Sequence, residues 1–384
     1  MNHMIGVTRQ TCRKVFIRVG RFVMANLLLV ALASPVQAQT FNDAVEGALE
    51  GACLGIDPRL GSLLDTICPA GDAASTSSGS PAALSGGISL VEKRKALRLI
   101  GPWSLFLSGE YERFDKNVTT FESGHTTDTW RAAVGADYSF SHRFVFGGAF
   151  NYVNDDGNFQ SGGRFETDAY GVLLHAIFAP TPKSFLDATA GYTWKNHFIS
   201  RVVSFTKAPT VIDRLPTTSD TDGNAFNVGV NGGYNFAFQN VTIGPRFGLH
   251  YNLTKIDGYP ERGNTGLELV YDDQTEKSLT SVLGMYGSMA ISTGFGVLTP
   301  QTTLEYVHEI EDDQRVIGFH FADDLSRTGF RFQNDSPDRN YFNIGAGIVM
   351  VLPNGFSPFV NYRALVGYQD RSRYGVAAGL RIEL

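Results

Sequence analysis

The sequence predicts an all-β protein, a transmembrane antiparallel up-and-down β-barrel of about 12 strands. Three observations support this fold class. From Trp103 to the last residue, apolar and polar residues alternate with a period of two, which is the period of a strand. The alternating runs are about 11 to 15 residues long, enough to cross a bilayer as tilted strands. Short and long connections alternate between these runs, as in barrels of the bacterial outer membrane.

The chemistry of the two strand faces distinguishes a membrane barrel from a soluble sandwich. In segment 130–138, aromatic and aliphatic residues occupy one face, whereas Arg131 and Asp137 lie on the other. Segments 226–236 and 374–384 repeat this division. A sandwich also alternates, but its apolar face looks inward and its strands average about 5 or 6 residues. Aromatic residues near the ends of the apolar face therefore indicate a surface that faces lipid.

The connections give the strand count. Short connections are predicted at 139–143, 180–183, 239–240, 293–296 and 353–355, and long polar ones at 115–125, 154–164, 197–222, 257–275, 312–339 and 367–371. Six long and five short connections join twelve strands, and both ends of the barrel then lie at the short-turn, periplasmic side. The count differs by two if the region 315–321 pairs as a separate hairpin.

Composition excludes several other classes of protein. The 384 residues include 43% hydrophobic and 12% aromatic residues, and the mean hydropathy is -0.09. Such a chain is too aromatic for a disordered polyelectrolyte and has too few long apolar runs for a helical membrane protein. The net charge of -6 argues against a nucleic-acid partner, because nucleic acid requires a basic surface.

Residues 1–38 are predicted to be a signal peptide for the Sec translocon. Five basic residues precede the apolar run 22–33, and Val36 and Ala38 place small residues where a signal peptidase cuts. A membrane-spanning helix would need about 20 apolar residues, and this run ends after about 12. Cleavage after Ala38 leaves an acidic mature protein.

Residues 39–87 form a short segment that ends in a Ser/Gly/Ala-rich linker. Export places the chain in an oxidising compartment, and Cys12 leaves with the signal peptide. We therefore expect Cys53 and Cys68 to form one disulfide. A zinc site would need more ligands, and no histidine lies near either cysteine.

Residues 88–100 have the apolar spacing of a short basic helix. Its charge comes from Lys93, Arg94, Lys95 and Arg98. The helix is expected to end before Gly101 and Pro102, because proline disfavours a helical conformation in the preceding residue.

Four stretches within 103–384 together are similar to a known family: 130–138 with 145–149, 185–192, 300–313 and the last strand. The chain resembles the autotransporter (type V secretion) β-domain, whose translocator is a twelve-stranded barrel with a helix through its lumen. The resemblance implies an outer-membrane barrel over 101–384 and a pore-spanning role for helix 88–100. It also implies contact with outer-membrane lipid and lipopolysaccharide, and insertion by the barrel-assembly machinery. We expect a monomer.

Two features depart from the family pattern. The family's last strand carries an assembly signal and usually ends in an aromatic residue; here Gly379 and Ile382 keep the glycine and apolar positions, but the chain ends in Leu384. The family's exported passenger is usually a long β-helix, whereas segment 39–87 has only about fifty residues. The resemblance therefore implies a translocator with an unusually short passenger.

Charged residues of both signs share the inward face of the predicted strands. They are Glu110, Arg131, Asp137, Asp187, Arg246, Glu305, Arg363, Arg381 and Glu383. Mixed charges suit a lumen filled by a helix better than a selectivity ring of one sign. The alternative is that these residues pair with one another and only fill the pore.

The sequence offers no supported catalytic, cofactor or metal site. His250 is predicted on the inward face and His308 on the outer face near a rim, without a nucleophile pattern beside either. Segment 154–158 has some calcium-loop residues but lacks the final glutamate, so we interpret it as the start of a loop. The acidic groups 311–313 and 323–324 are interpreted as solvated loop charge, with divalent-ion binding near lipopolysaccharide as the alternative.

The expected function is translocation or surface display of segment 39–87 by an outer-membrane barrel without enzymatic activity. Two alternatives remain open at this point. One is a passive structural or pore-forming barrel that leaves the segment in the periplasm, and the other is an integral-membrane hydrolase.

Overall fold

The computed structural model describes residues 102–119, 122–141, 143–208, 211–311, 316–352 and 355–384. All regular structure in these ranges is β-strand, and no helix occurs there. This part of the chain accordingly holds no helix of the length and hydropathy that crossing a bilayer demands. The predicted signal peptide, segment 39–87 and the helix predicted at 88–100 lie outside the described residues.

Twelve long strands build the main sheet. They are β1 (Trp103–Lys116), β2 (His125–Ser141), β3 (Phe144–Phe159), β4 (Gly163–Thr181), β5 (Ser184–Ala208), β6 (Val211–Tyr234), β8 (Val241–Ile256), β11 (Gln274–Met289), β13 (Gly296–Glu309), β16 (Asn340–Val351), β17 (Phe356–Val366) and β18 (Arg371–Glu383). Two short strands, β7 (Phe236–Phe238) and β12 (Ile291–Thr293), extend the hairpins at the short turns. Four more, β9 (Tyr259–Pro260), β10 (Leu269–Tyr271), β14 (Val316–Phe321) and β15 (Phe330–Gln333), form a separate small sheet.

Each long strand pairs antiparallel with its neighbours in chain order, and the last strand returns to the first. The register of β1 against β18 runs from Ser104 opposite Glu383 to Lys116 opposite Arg371. This pairing closes the sheet, so the predicted twelve-stranded barrel is confirmed. Closure leaves no open edge in the part of the barrel wall that faces lipid, as backbone groups there require.

Aromatic pairs mark the two limits of the outward apolar surface. Tyr111 and Trp130 lie opposite each other with ring centroids 4.8 Å apart, and Trp103 and Tyr138 do the same at 4.9 Å. The two pairs are eight residues apart, or about 27 Å along the strand. Between them lie exposed aliphatic side chains, including Leu105, Leu107, Val134, Val172, Leu174, Leu249 and Leu283. This outward belt has the height and composition of a lipid-facing surface.

The inward face combines polar residues with one buried apolar cluster. The cluster comprises Phe106, Ala133, Val145, Ala149, Leu173, Ile177, Tyr286, Val349 and Phe359. Beside it, Gly147 lets two polar side chains approach the backbone closely. A Cβ atom at Gly147 would lie 2.2 Å from Oδ1 of Asp137 and 2.4 Å from Nε2 of His175. Any larger residue at this position would displace one of these side chains.

Two of the predicted long loops are strands instead. Strand β3 continues to Phe159 and β4 begins at Gly163, so segment 154–158 lies within a strand and does not open a loop. The predicted loop 197–222 is a β-hairpin of β5 and β6, which are 25 and 24 residues long. The expected strand lengths of 11 to 15 residues were therefore too short for this hairpin. Outside lipid a strand can carry polar side chains on both faces, so the loss of an apolar face did not mark its end.

The region 315–321 does not add strands to the barrel. Its described part is β14, which pairs with β15 on one side and β10 on the other. The resulting four-stranded sheet has the order β15-β14-β10-β9 and lies at the long-loop end of the barrel. The strand count of the barrel is therefore unaffected by this region.

Candidate functional site

The predicted inward charges lie inside the barrel, and they gather into separate groups. Eight of the nine are buried: Glu110, Arg131, Asp137, Asp187, Arg246, Glu305, Arg381 and Glu383. Arg363 is half-buried on β17, opposite Gly345 and Gly375 of the neighbouring strands.

The first group lies near the short-turn end and joins strands β1, β2, β4 and β18. Arg381 forms an ion pair with Asp137 through Nη1, and its Nη2 donates to the hydroxyl of Ser104 at 2.5 Å. On the other side, Asp137 Oδ1 lies 2.7 Å from Nε2 of His175. At most 2% of each of these four residues is exposed. A carboxylate this deeply buried needs such partners, because an unpaired charge in this position is strongly destabilising.

This group does not have the geometry of a hydrolase site. In a serine hydrolase the serine hydroxyl hydrogen-bonds to the imidazole that removes its proton. Here the hydroxyl of Ser104 donates to Asp137 at 3.5 Å, and the Nε2 of His175 is directed to the same carboxylate. The arrangement holds three strands to a buried carboxylate and positions no nucleophile against a base.

The second group lies nearer the long-loop end, on β1, β2 and β18. Arg131 contacts Glu110 at 3.3 Å and Glu112 at 3.0 Å. Arg373 on β18 approaches the other oxygen of Glu112 at 3.8 Å. Next to this group, Asp155 on β3 accepts a short hydrogen bond from Thr129 of β2. Charges of both signs thus line this level of the lumen.

The third group is built around Arg246 on β8. Its guanidinium carbon lies over the rings of Phe185 and Tyr286, 5.0 and 4.9 Å from their centroids. The guanidinium also donates to Oδ1 of Asn235 at 2.5 Å. Two ring contacts and a side-chain amide oxygen together stabilise a guanidinium away from bulk water.

A chain of polar contacts continues from Arg246 toward the long-loop end. Asn231 donates to Asp187 at 3.0 Å, and its carbonyl oxygen lies 2.7 Å from Nε2 of His250. His250 is therefore on the inward face, where the sequence indicated it, in a hydrogen-bonded position. His308 lies on the outer face, with Nδ1 2.9 Å from Oδ1 of Asn340. Neither histidine contacts a serine, threonine or cysteine in these bonds.

Lys116, Thr119, Glu122 and Asp335 form a group of contacts at the long-loop end, which we call the clasp. Lys116, the last residue of β1, is 1% exposed and forms ion pairs with Glu122 and with Asp335, the latter at 2.6 Å. The hydroxyl of Thr119 donates to the same Asp335 carboxylate at 2.8 Å. Burial tends to raise the pKa of Asp335, but the hydrogen bonds from Lys116 and Thr119 outweigh it and lower that pKa overall. The clasp ties the β1–β2 loop to the β15–β16 connection.

The residues of the predicted assembly signal lie on the closing seam. Gly379 faces Ser108 of β1 and Phe359 of β17, and a Cβ atom there would lie 2.5 Å from the Phe359 ring. Ile382 faces Leu105 in the β1–β18 register, and Leu384 is exposed. The amide of Leu384 donates to the carbonyl of Trp103 at 2.9 Å, so the seam continues to the final residue.

Several partners in these groups were missed from the sequence. His175, Glu112 and Lys116 share the inward face with the predicted charges, and the period of two in β1 and β4 could have shown this. The sequence did not show which residue each of these three side chains contacts, because the contact depends on the register between strands. The described ranges contain no group of three or more His, Cys, Asp or Glu residues placed to hold a metal ion.

A closed twelve-stranded antiparallel barrel with an apolar belt and a charged lumen defines the class of the protein, a β-barrel of the bacterial outer membrane. The family model "Autotransporter beta-domain" matches residues 105–363. The chain therefore belongs to the autotransporter β-domain family, and the family predicted from the sequence is confirmed.

Two solved structures share this fold. The translocator domain of autotransporter NalP from Neisseria meningitidis has a TM-score of 0.59 at 15% identity, covering 76% of this chain and 95% of that one. The β-domain of the Bordetella autotransporter BrkA has a TM-score of 0.52 at 16% identity, covering 74% and 100%. At this identity the likeness shows the fold.

An uncharacterized protein in the trpE-trpG intergenic region of Pseudomonas putida is 32% identical over 121 residues, which cover 29% of this chain. The match spans only 19% of that relative's length.

Proposed function

We propose that this translocator barrel displays its own short N-terminal segment, residues 39–87, at the cell surface. The observation that carries the proposal is the charge of the barrel interior. Among the described barrel strands, eight carboxylates are buried: Glu110, Glu112, Asp137, Asp155, Asp187, Glu305, Glu309 and Glu383. Five cations are buried with them: Lys116, Arg131, Arg246, Arg373 and Arg381. Arg363 and Lys195 are half-buried on the same inward face, which leaves a small excess of carboxylates that suits a basic segment in the lumen.

The basic segment is the predicted helix 88–100, which directly precedes the barrel. Its four cations, Lys93, Arg94, Lys95 and Arg98, would neutralise part of the acidic lining. Because β1 starts at the short-turn, periplasmic end, a helix that enters the lumen there directs residues 39–87 toward the outside. The helix then acts both as the plug of the pore and as the stalk of the displayed segment.

The proposed partners follow from the surfaces and from the route of export. The outward belt contacts outer-membrane lipid and lipopolysaccharide, and the signal peptide 1–38 engages the Sec translocon. Gly379, Ile382 and Leu384 are proposed to form the signal that the barrel-assembly machinery recognises. We propose a monomer that has no nucleic-acid partner, no cofactor and no catalytic activity.

An epitope inserted at Ala74 tests the display on intact cells. Antibody binding and protease cleavage of the epitope without permeabilisation are the expected results. An epitope that becomes accessible only after the outer membrane is permeabilised would contradict display and favour the passive barrel. Refolded barrel assayed against phospholipid and peptide substrates tests the remaining alternative, since turnover of either would show a hydrolase.

A further inference from the structure

The four-stranded sheet at the long-loop end carries a continuous row of aromatic side chains. Tyr259 and Tyr271 lie 4.9 Å apart by ring centroid, and Tyr271 lies 6.1 Å from Phe319. Phe319 in turn stacks on Phe330 at 5.6 Å and contacts Phe332 at 5.9 Å. The strand registers place these residues on one face, because Phe319 is opposite both Tyr271 and Phe330.

Burial decreases along this row from one side of the sheet to the other. Tyr259 on β9 is 8% exposed, whereas Phe330 and Phe332 on β15 are 43% and 39% exposed. Strand β15 is also the last strand of the sheet, and among the described residues no other strand pairs with its free side. An aromatic face that ends at an open strand edge is a typical surface for binding an apolar segment.

Hydrogen bonds to β5 and β6 fix the position of the four-stranded sheet. Arg201 on β5 forms two parallel hydrogen bonds to Glu261, at 2.7 and 2.6 Å. Glu261 also accepts the backbone amide of Leu269 at 2.9 Å, which ties β10 into the same contact. Thr218 and Arg262 exchange backbone hydrogen bonds of 2.9 and 2.8 Å, joining the sheet to β6. The aromatic face therefore has a fixed position beside the β5–β6 hairpin.

We propose that the aromatic face of this sheet, at Phe330 and Phe332, docks the displayed segment 39–87 of the same chain. The inference rests on the proposed function, since the segment must first reach the outside. Its two apolar stretches, 41–49 and 60–67, lie in a segment too short to bury them in a core of its own. These two stretches can be buried against an exposed aromatic face of the same molecule.

Chain length agrees with this occupant. As the predicted helix, residues 88–100 would span about 20 Å, close to the height of the belt once its strands are tilted. Residue 87 would then lie at the outer mouth. The segment holds six carboxylates and a single basic residue, Arg59.

Trypsin cleavage after Arg59 on intact cells tests the docking with the full chain. Reducing gels follow the cleavage, so that a disulfide between Cys53 and Cys68 cannot hold the fragments together. The double variant Phe330→Ser/Phe332→Ser is expected to be cleaved about tenfold faster than the wild type, or more, because the segment loses its apolar contacts. Leu325→Ser is the matched control, since Leu325 is a fully exposed apolar residue of the same loop region.

Two measurements separate failure of the docking from failure of the display. Heat-modifiable migration establishes that each variant forms the barrel, and an epitope at Ala74 reports whether the segment is outside. An accessible epitope combined with equal cleavage rates in wild type and double variant would overturn the docking and leave the display intact. An epitope that is inaccessible in all variants would overturn both proposals.

Discussion

Arg381 on the last strand forms an ion pair with Asp137 on the second strand, across the first strand that lies between them. In the register, β1 places Phe106 opposite Arg381 and Ser104 opposite Asp137. The ion pair therefore reinforces the β1–β18 seam at which the barrel closes. It links β18 to β2, whereas the backbone pairing at this seam joins β18 only to β1.

Breaking this ion pair should destabilise the barrel strongly. We expect Arg381→Ala to lower the free energy of unfolding by about 3 to 5 kcal/mol, because Asp137 would remain buried without its guanidinium partner. The double variant Asp137→Ala/Arg381→Ala should cost less than the sum of the single variants. Urea unfolding in lipid or detergent measures these changes. Arg143→Ala, at an exposed turn, is the control, and strictly additive effects would contradict the coupling.

The stability of the clasp at the long-loop end should fall in acid and should not change with mild changes of pH. The depressed pKa of Asp335 means that its carboxylate stabilises the clasp above the unfolded pKa of about 3.9. That stabilisation is lost as the pH falls through the lower, folded-state pKa. We expect Asp335→Asn to reduce protection of the Thr119 amide severalfold at pH 7 in hydrogen exchange. The difference from the wild type should vanish in strong acid; Asp323→Asn, an exposed loop carboxylate, is the control.

The last three residues should be required for assembly. Deleting residues 382–384 removes the end of the seam, including the bond from Leu384 to Trp103, and leaves strand edges open in lipid. We expect the truncated protein to be lost from the outer membrane, whereas Leu384→Phe is tolerated or improves assembly. Fractionation and heat-modifiable migration measure both outcomes. A normally migrating barrel in the deletion would contradict the proposed signal.

The two cysteines of the mature chain should form one bridge. Thiol labelling of the unreduced protein is expected to find no free cysteine. Cys53→Ala should expose the thiol of Cys68 alone, and reduction of the wild type should expose two thiols. Complete labelling of both cysteines without reductant would show that they do not pair.

Removing the predicted helix should open the pore. Deletion of residues 88–100 is expected to raise the single-channel conductance of the reconstituted protein, because the acidic lumen loses its basic plug. Neutralising Lys93, Arg94, Lys95 and Arg98 together should give intermittent openings that depend on salt. Deletion of 74–86, which has the same length and lies in the linker, is the control. Equal conductance with and without the helix would place it outside the pore.

Much of the fold could be predicted from the sequence because a strand in a membrane barrel meets lipid on one side and the lumen on the other. The period of two was enough to assign Arg131, Asp137 and Arg381 to the inward face. It could not show that Asp137 meets His175 of β4, since that contact depends on the register across β3. The full 25-residue length of strand β5 was missed for a different reason. Its second half lies outside lipid, where a strand does not need an apolar face.

The length of the β5–β6 hairpin has a consequence for how the cell is recognised. Strand β5 continues for 14 residues from Trp194, which lies in the outer aromatic girdle, to Ala208. This corresponds to about 46 Å along the strand, paired with β6 throughout. An antibody or a phage that approaches the bacterium meets this stiff two-stranded arm before it meets the bilayer. Selection by such external contacts should therefore concentrate sequence variation at the tip of this arm and spare the barrel wall.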